Sequence, residues 1–443
     1  MKIRKMKDSG LVWVGEVPAH WQVLPNKYVL RKTKRICEKW SGQPVLSLSM
    51  KGVFARDLLN PTGKMPTTFD GYQYVEAGNA LMCLFDYDVT PRCVGRALIS
   101  GVTSPAYSCF EVLKNATLDW VYYYYLMVDN GKEILHLARN LRHAFNESDF
   151  GEIKMPLPPL EEQQRLTDCL DRACAKIDEI VAGTKQTIEE HKAWKASLIF
   201  ETVTGKVETG FTGLTGLSGG TNPVNPVNPV KKRKRPMRDS GVAWLGEVPE
   251  GWGVKRLKHV VEIRSDSGEY SPEIGHYIGL ENIVSSGGYV ETDTKYEQAI
   301  YARCRKGDLL YSKLRPYLAK CILSPLDAFC TGEFLVVSRY DGPMEFLRYW
   351  FLSANVTEAI NASTYGSKMP RANEGFILNL PYLCPPVSVQ QEIVSFLDKK
   401  CAAIDRVIAE KEALIADLEA YRKSLIFEVV TGKRSVGENG LVA

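Results

Sequence analysis

The chain has 443 residues, more than one ordinary hydrophobic core accommodates, so two to three domains are expected. Apolar residues make up 45% and charged residues 24%, which excludes a disordered chain and fits a soluble globular one. No apolar run reaches the roughly 20 residues of a membrane span, the start MKIRKMKDSG has no apolar stretch like a signal peptide, and a net charge of +4 decides little, so a cytoplasmic protein without a membrane partner is expected.

In chain order, the box MKDSGLVWVGEVPAHW opens at Met6. A basic, aromatic-bearing stretch follows from Lys27 to Trp40 and contains Lys27, Arg31, Lys32, Lys34 and Arg35. Such a run suits phosphate binding, and a solvated face gives the same pattern. QPVLSLSM and ALMCLFDYDV read as strands, and LDWVYYYYLMVDNGKEILHLA reads as a helix. Arg139, Arg142 and His143 then precede the block LPPLEEQQRLTDCLDRACAKIDEIVAGTKQTIEEHKAWKASLIFETVTGK, which starts at Leu157. From Thr209 to Val230 the chain carries no charge and repeats Thr-Gly and Asn-Pro-Val units, which reads as a linker because glycine and proline at this density oppose helix and strand. KKRKRPMR from Lys231 to Arg238 ends it; this run either keeps the linker soluble or meets phosphate.

The box then returns as MRDSGVAWLGEVPEGW at Met237. GDLLYSKLRPYLAKCIL and GEFLVVSRY read as strands, and MEFLRYWFLSANVTEAI reads as a helix. Lys313, Arg315 and Tyr317 alternate and so share one strand face, putting cationic and aromatic groups together. GSKMPR, with Ser367, Lys368 and Arg371, forms a loop suited to a groove edge, since arginine binds guanine bidentately and lysine more often takes phosphate. The second closing block, CPPVSVQQEIVSFLDKKCAAIDRVIAEKEALIADLEAYRKSLIFEVVTGK, starts at Cys384.

The openings lie 231 residues apart and the closings 227, so the chain is a duplication with nearly equal, divergent interiors. In each closing block the Pro-Pro pair suits a helix start, Glu161 and Glu162 complement the helix dipole, and Gly205 and Gly432 are natural stops. Apolar steps of three and four through Leu170, Cys174, Ile177, Val181 and Ile188, interrupted at Thr184, and through Val394, Leu397, Cys401, Ile404, Ile408, Ile415 and Leu418, interrupted at Lys411, make a coiled-coil seam. A helix of about 40 residues spans roughly 60 Å. Its narrow stripe needs a partner, and the helix of the other copy, antiparallel across a pseudo-two-fold axis, is the economical one. The alternative is that each helix packs on its own globular region. The fold class expected is α+β: two mixed α/β domains separated by two long antiparallel coiled-coil helices. The divisions are residues 1–157, 158–207 (helix), 208–236 (linker), 237–384, and 385–443 (helix and tail).

No catalytic constellation accompanies this architecture. The Asn-Pro pairs continue as NPT and NPV rather than as a methyltransferase motif, and no GxxxxGK[ST] loop occurs. Eleven scattered cysteines, without a CxxC pair and with Cys169 and Cys174 poorly spaced for zinc, read as buried small hydrophobes, so no metal is expected.

DSGxxWxGEVPxxW opening each half, PPxxxQQ leading into each long helix and SLIFExVTGK closing it together resemble the specificity subunit of type I restriction-modification enzymes, over nearly the whole chain. GDLLYSKLRPYLAK and GSKMPR also look like second-region sequence of that family. The resemblance implies a non-catalytic reader of double-stranded DNA, each variable region being a target recognition domain for one half of a bipartite, asymmetric site. It further implies that the paired helices act as spacer and dock two modification subunits, which methylate adenine with S-adenosylmethionine, and that motor-nuclease subunits using ATP and Mg join them; this chain itself would bind no cofactor. The glycine- and proline-rich linker departs from family members whose repeats extend a helix, so deleting one Asn-Pro-Val unit is expected to leave half-site spacing unchanged, which a methylome would check. Two other readings are an autonomous methyltransferase or nuclease with unfamiliar motifs, and a coiled-coil interaction protein without a DNA role.

Overall fold

The computed structural model describes residues 5–61, 65–139, 142–207, 236–271, 275–285, 287–292, 296–366 and 368–436. The linker except Pro236, Ser367 and the tail from 437 lie outside the described residues. The chain divides into two units: residues 1–184 with 413–443, and residues 185–412.

Unit 1 opens with a hairpin, Met6–Asp8 against Glu16–Pro18. Its DSG sequence is a turn device: Asp8 Oδ1 accepts from Gly10 N at 2.9 Å, Ser9 Oγ accepts from Leu11 N at 3.1 Å, and Gly10 and Gly15 take left-handed φ of 69° and 72°. Trp21, at the end of the box, is buried edge-on against Trp120 at 5.4 Å. Gln22–Pro25 pairs with Lys154–Leu157, so the two ends of the variable region meet. Between them lie two sheets. One is antiparallel in the order Val94–Arg96, Ala80–Met82, Ser108–Val112, Leu30–Thr33. The other runs Ile36–Cys37, Tyr72–Val75, Gly101–Thr103, Val45–Ser49, Gly52–Ala55, with one parallel pair. Helix α1 (Leu118–Gly131), N-capped by Thr117, buries Trp120, Tyr123, Tyr124 and Tyr125 in the main core. The helical reading of this stretch stops at Gly131, where Lys132 turns left-handed, and a short 3-10 turn follows at Leu135–Leu137. Helix α2 (Glu147–Glu152) leads to helix α3 (Leu160–Val203).

Unit 2 repeats the opening hairpin, Met237–Asp239 against Glu247–Pro249, with Asp239 and Ser240 accepting the same turn bonds. Gly253–Arg256 pairs with Pro381–Cys384. One antiparallel sheet runs Val261–Ile263, Phe334–Tyr340, Leu309–Ser312, Cys321–Leu323. A second runs Ser267–Tyr270, Ala299–Cys304, Ala328–Cys330, Tyr277–Ile278. The expected single helix after Gly342 is two, α4 (Met344–Leu352) and α5 (Ala354–Ala362), because Ser353 is extended (ψ 139°). Helix α6 (Glu374–Asn379), capped by Asn373, precedes helix α7 (Val387–Val430).

The Pro-Pro-…-Gln-Gln starts have a specific use. Gln163 is fully buried; its amide donates to Pro158 O at 2.8 Å and Asn115 O at 3.1 Å, and accepts from Thr117 N at 2.9 Å. Gln390 likewise donates to Pro385 O at 2.8 Å and accepts from Tyr340 Oη at 2.7 Å. Each helix start is thereby tied to its own unit, to the turn before α1 in unit 1 and to the strand Phe334–Tyr340 in unit 2. In unit 1, Asp171 of α3 holds Arg96 at 3.2 Å and Tyr123 Oη at 2.7 Å; in unit 2, Asp398 of α7 accepts from Tyr349 Oη at 2.6 Å.

Within unit 1 the start of α3 and the end of α7 run in opposite directions: Leu166 and Leu170 share a core with Leu425, Ile426, Val429 and Val430, and Asp178 pairs with Arg422 at 2.6 Å. Within unit 2, Leu198, Ile199 and Val203 share a core with Ile393, Leu397, Cys401 and Ile404, and Lys195 pairs with Asp405 at 2.7 Å. Of the apolar stripe, Leu170, Ile177, Val181, Ile188, Leu397 and Ile404 are buried, and Ile408, Ile415 and Leu418 half-buried. Each terminal glycine seats the helix end on the box of the other copy. A Cβ on Gly432 (φ 71°) would strike Pro18 and Trp21, and one on Gly205 (φ 73°) would come within 2.5 Å of Pro249 and 2.8 Å of Trp252. No helix among the described residues is long and apolar enough to cross a membrane.

Candidate functional site

The second-copy candidates meet at one corner of unit 2. The strand reading of GDLLYSKLRPYLAKCIL is overturned beyond Ser312: Pro316 opens a 3-10 turn, Pro316–Leu318, and the strand resumes only at Cys321. Lys313, Arg315 and Tyr317 therefore do not share a strand face. Arg315 and Ala319 flank the turn with left-handed φ of 49° and 47°, a conformation uncommon for residues other than glycine. Lys313 turns inward, 12% exposed, and pairs with Glu374 at the start of α6 at 3.0 Å, so it fastens the loop rather than facing solvent. Arg315 and Tyr317 stay exposed.

The GSKMPR segment folds back on this loop. Tyr365 and Arg371 exchange backbone hydrogen bonds at 3.2 and 3.1 Å, Arg315 N donates to Pro370 O at 2.7 Å, and Ala372 N donates to Lys313 O at 2.8 Å. The two loops thus present Arg315, Tyr317, Tyr365, Lys368 and Met369, all exposed, together with the half-exposed Arg371. Arg371 Nε lies 3.1 Å from Glu333 Oε2.

Unit 1 contains the same backbone arrangement with different charges. After Ala80–Met82 the chain leaves the sheet, Asp86 is left-handed (φ 46°), and Asp86 N donates to Arg142 O at 2.7 Å. Arg139 and Ala144 exchange backbone bonds at 3.0 and 2.9 Å, and Phe145 N donates to Leu84 O at 2.8 Å. Here every candidate cation faces an acid. Arg142 grips Asp86 with two bonds, at 2.9 and 2.7 Å, Arg139 Nε is 2.9 Å from Asp149, and His143 Nδ1 is 3.1 Å from Asp88. The hydrogen bonds from Arg142 hold the Asp86 carboxyl below the usual range.

The basic stretch is also largely compensated. Lys27 pairs with Glu152 at 2.6 Å, and this bond raises its pKa. Arg31 pairs with Glu111, Lys32 with Glu147 at 3.2 Å, and Arg35 with Glu76, while Lys34 is exposed with no ion pair to a described residue. Arg31 and Lys32 are neighbours on one strand, so they point to opposite faces. Sequence reasoning missed the acids Asp86, Asp88, Asp149 and Glu333; all but Asp149 lie far along the chain from the groups they meet, and only the acidic run DYD at Asp86 offered a signal.

Burial pushes the Cys109 and Cys321 thiols up to about 12 and Cys174 up to about 11, which suits packing rather than nucleophilic work. Among the described residues no group of three or more His, Cys, Asp and Glu is placed to hold a metal ion. What the two loop pairs offer is a surface of hydrogen-bond donors and rings.

Residues 84–190 match the family model described as the type I restriction modification DNA specificity domain. The chain is 22% identical over 344 residues to the type I restriction enzyme EcoDI specificity subunit of Escherichia coli, covering 74% of this chain and 73% of that protein. It is 22% identical over 305 residues to the MjaVIII specificity subunit of Methanocaldococcus jannaschii, covering 64% and 63%. Its relatives are type I restriction specificity subunits. A solved chain from work on complex assembly and conformational transition of the type I R-M system has the same fold, with a TM-score of 0.65, 13% identity, and coverage of 94% of this chain and 98% of that one. Within the family-model match of this specificity-subunit relative lie the left-handed Asp86, the Arg139–His143 cations and the start of α3.

Proposed function

We propose that this chain is the DNA sequence-recognition subunit of a type I restriction-modification system, reading a bipartite, asymmetric duplex target with one half-site per variable region. The observation that carries this reading is the pair of loop corners: the same hydrogen-bonded frame recurs in both units, with Asp86, Arg142 and Ala144 in one where Arg315, Pro370 and Arg371 stand in the other. A constant frame bearing different donors and acceptors is what reading two different sequences requires, because base edges are distinguished by their donor and acceptor patterns. The exposed Lys34, Arg315 and Lys368 supply phosphate attraction, which positions without specifying.

In this reading the long helices form an antiparallel coiled-coil spacer with pseudo-two-fold symmetry, and their exposed faces dock two adenine-methylating modification subunits. Those partners bring S-adenosylmethionine, and motor-nuclease subunits bring ATP and Mg; the chain works in the cytoplasm without chemistry of its own. The test is purified chain with DNA and labelled S-adenosylmethionine: label enters DNA only once modification subunits are added, and a genome-wide N6-methyladenine map then returns a two-part motif. Methylation by the chain alone, or an uninterrupted motif, would overturn the proposal.

A further inference from the structure

Arg371 is held twice over. Its backbone is clamped to Tyr365 by two hydrogen bonds, at 3.1 and 3.2 Å, which fixes where the side chain starts. Its Nε is then set 3.1 Å from Glu333 Oε2, a carboxylate oxygen that is buried and accepts no hydrogen bond from a described residue. Glu333 is itself anchored: its backbone oxygen accepts from Lys313 N at 2.8 Å, and its N–H is bonded to Thr331 Oγ1 at 3.3 Å. The Arg371 Nη groups have no hydrogen-bond partner among the described residues, and the side chain is 42% exposed.

A guanidinium can grip two acceptors through the Nε–Nη side or through the Nη1–Nη2 end. The Glu333 carboxylate lies against the Nε edge as an ion pair rather than as a hydrogen-bond acceptor, so the Nη1–Nη2 end is the side left open to an outside acceptor. A carboxylate this close also offsets the positive charge, which weakens attraction to a phosphate while leaving the donor fork intact. A neutral pair of acceptors in one plane, the O6 and N7 of guanine in the major groove, suits such a fork. Arg142 in unit 1 differs, since both its Nε and an Nη are already committed to Asp86.

We infer that Glu333 is a positioning residue that orients Arg371 to read a guanine edge in the half-site recognised by unit 2. This rests on the proposed DNA-reading function. The experiment uses the full chain assembled with its modification subunits and measures methylation across duplexes randomised in each half-site.

A guanine preference at one position is expected to fall roughly 10- to 100-fold in Arg371→Ala, with the other half-site unchanged. Glu333→Gln, similar in shape but uncharged, should lose preference at that same position by about tenfold, and should add nothing to Arg371→Ala in the double variant. Should Glu333→Gln lower the melting temperature, Glu333→Asp carries the test, because it keeps the charge but withdraws it from Nε; its preference must fall between wild type and Arg371→Ala. Full preference in these Glu333 variants, alongside loss in Arg371→Ala, overturns the positioning role. An Arg371→Ala that leaves both half-sites unchanged overturns DNA reading by this corner, and a lost preference for a base other than guanine overturns the assignment of the edge.

Discussion

The loop corners of the two units share a backbone and differ in how their charge is spent. In unit 1 Arg139, Arg142 and His143 each face an aspartate, and the left-handed position is itself the acid Asp86. In unit 2 the left-handed position is the cation Arg315, exposed, and Arg371 keeps part of its donor set. The hydrogen-bonded frame is thus independent of the side chains it carries. One corner is closed by internal ion pairs, while the other stands open to an external acceptor.

The largest test of that comparison concerns the frame. Gly432→Val adds a branched side chain at left-handed φ against Pro18 and Trp21, and Gly205→Val does so against Pro249 and Trp252. Each should cost roughly 2–5 kcal/mol by strain and overpacking. Differential scanning calorimetry of both, with hydrogen exchange to locate the damage, should show equal losses but in opposite units: Gly432→Val loosens unit 1, and Gly205→Val loosens unit 2. Unequal or same-unit damage would break the equivalence.

Next in size is Lys313→Ala, which removes a fastener of the open corner while the half-exposed Glu374 stays hydrated. A stability loss of about 1 kcal/mol is expected. Base preference should persist in chain that remains folded, separating this inward lysine from Arg371.

Asp86→Asn is the conversion of the closed corner toward the open one. Asparagine tolerates the left-handed φ, so the frame should hold. Released from its carboxylate, Arg142 should tighten binding at the unit 1 half-site and steepen its salt dependence by about one ion. The Asp86 pKa is lowered in the folded chain, so its pairing is complete above the ordinary aspartate range and is lost only as pH falls through the lowered value. Binding measured between pH 6 and 8 should therefore show no Asp86 titration. The smallest effect is that of Lys34→Ala, an exposed lysine without an ion pair to a described residue, which should flatten the salt slope by about one at every sequence tested.

The frame was legible in the sequence because its parts are backbone devices. Asp8, Ser9 and Gly10 bond within their own turn, Gln163 reaches the carbonyl of Pro158, and Gly205 and Gly432 allow a φ that other residues resist. Such signals are local and recur wherever the turn recurs. The corners were not legible in detail. Alternating Lys313, Arg315 and Tyr317 imitate a strand face, yet Pro316 withholds a ladder donor and the flanking residues turn left-handed. Two of the acids that close unit 1, Asp86 and Asp88, sit far along the chain from their partners, Asp86 from Arg142 by 56 residues, so neither member announces the other. A helix broken at Ser353 was hidden by an apolar pattern that continues across the break.

The seating of each helix end on the opposite box has a consequence for synthesis. The core of unit 1 includes Leu425, Ile426, Val429, Val430 and Val436, which follow unit 2 in the chain and are synthesised after it. Unit 1 therefore starts before unit 2 and is finished after it, and Trp21 and its neighbours stay uncovered until unit 2 has been made. A stop codon just before Leu425 would leave unit 1 without these core residues and unit 2 with all of its own.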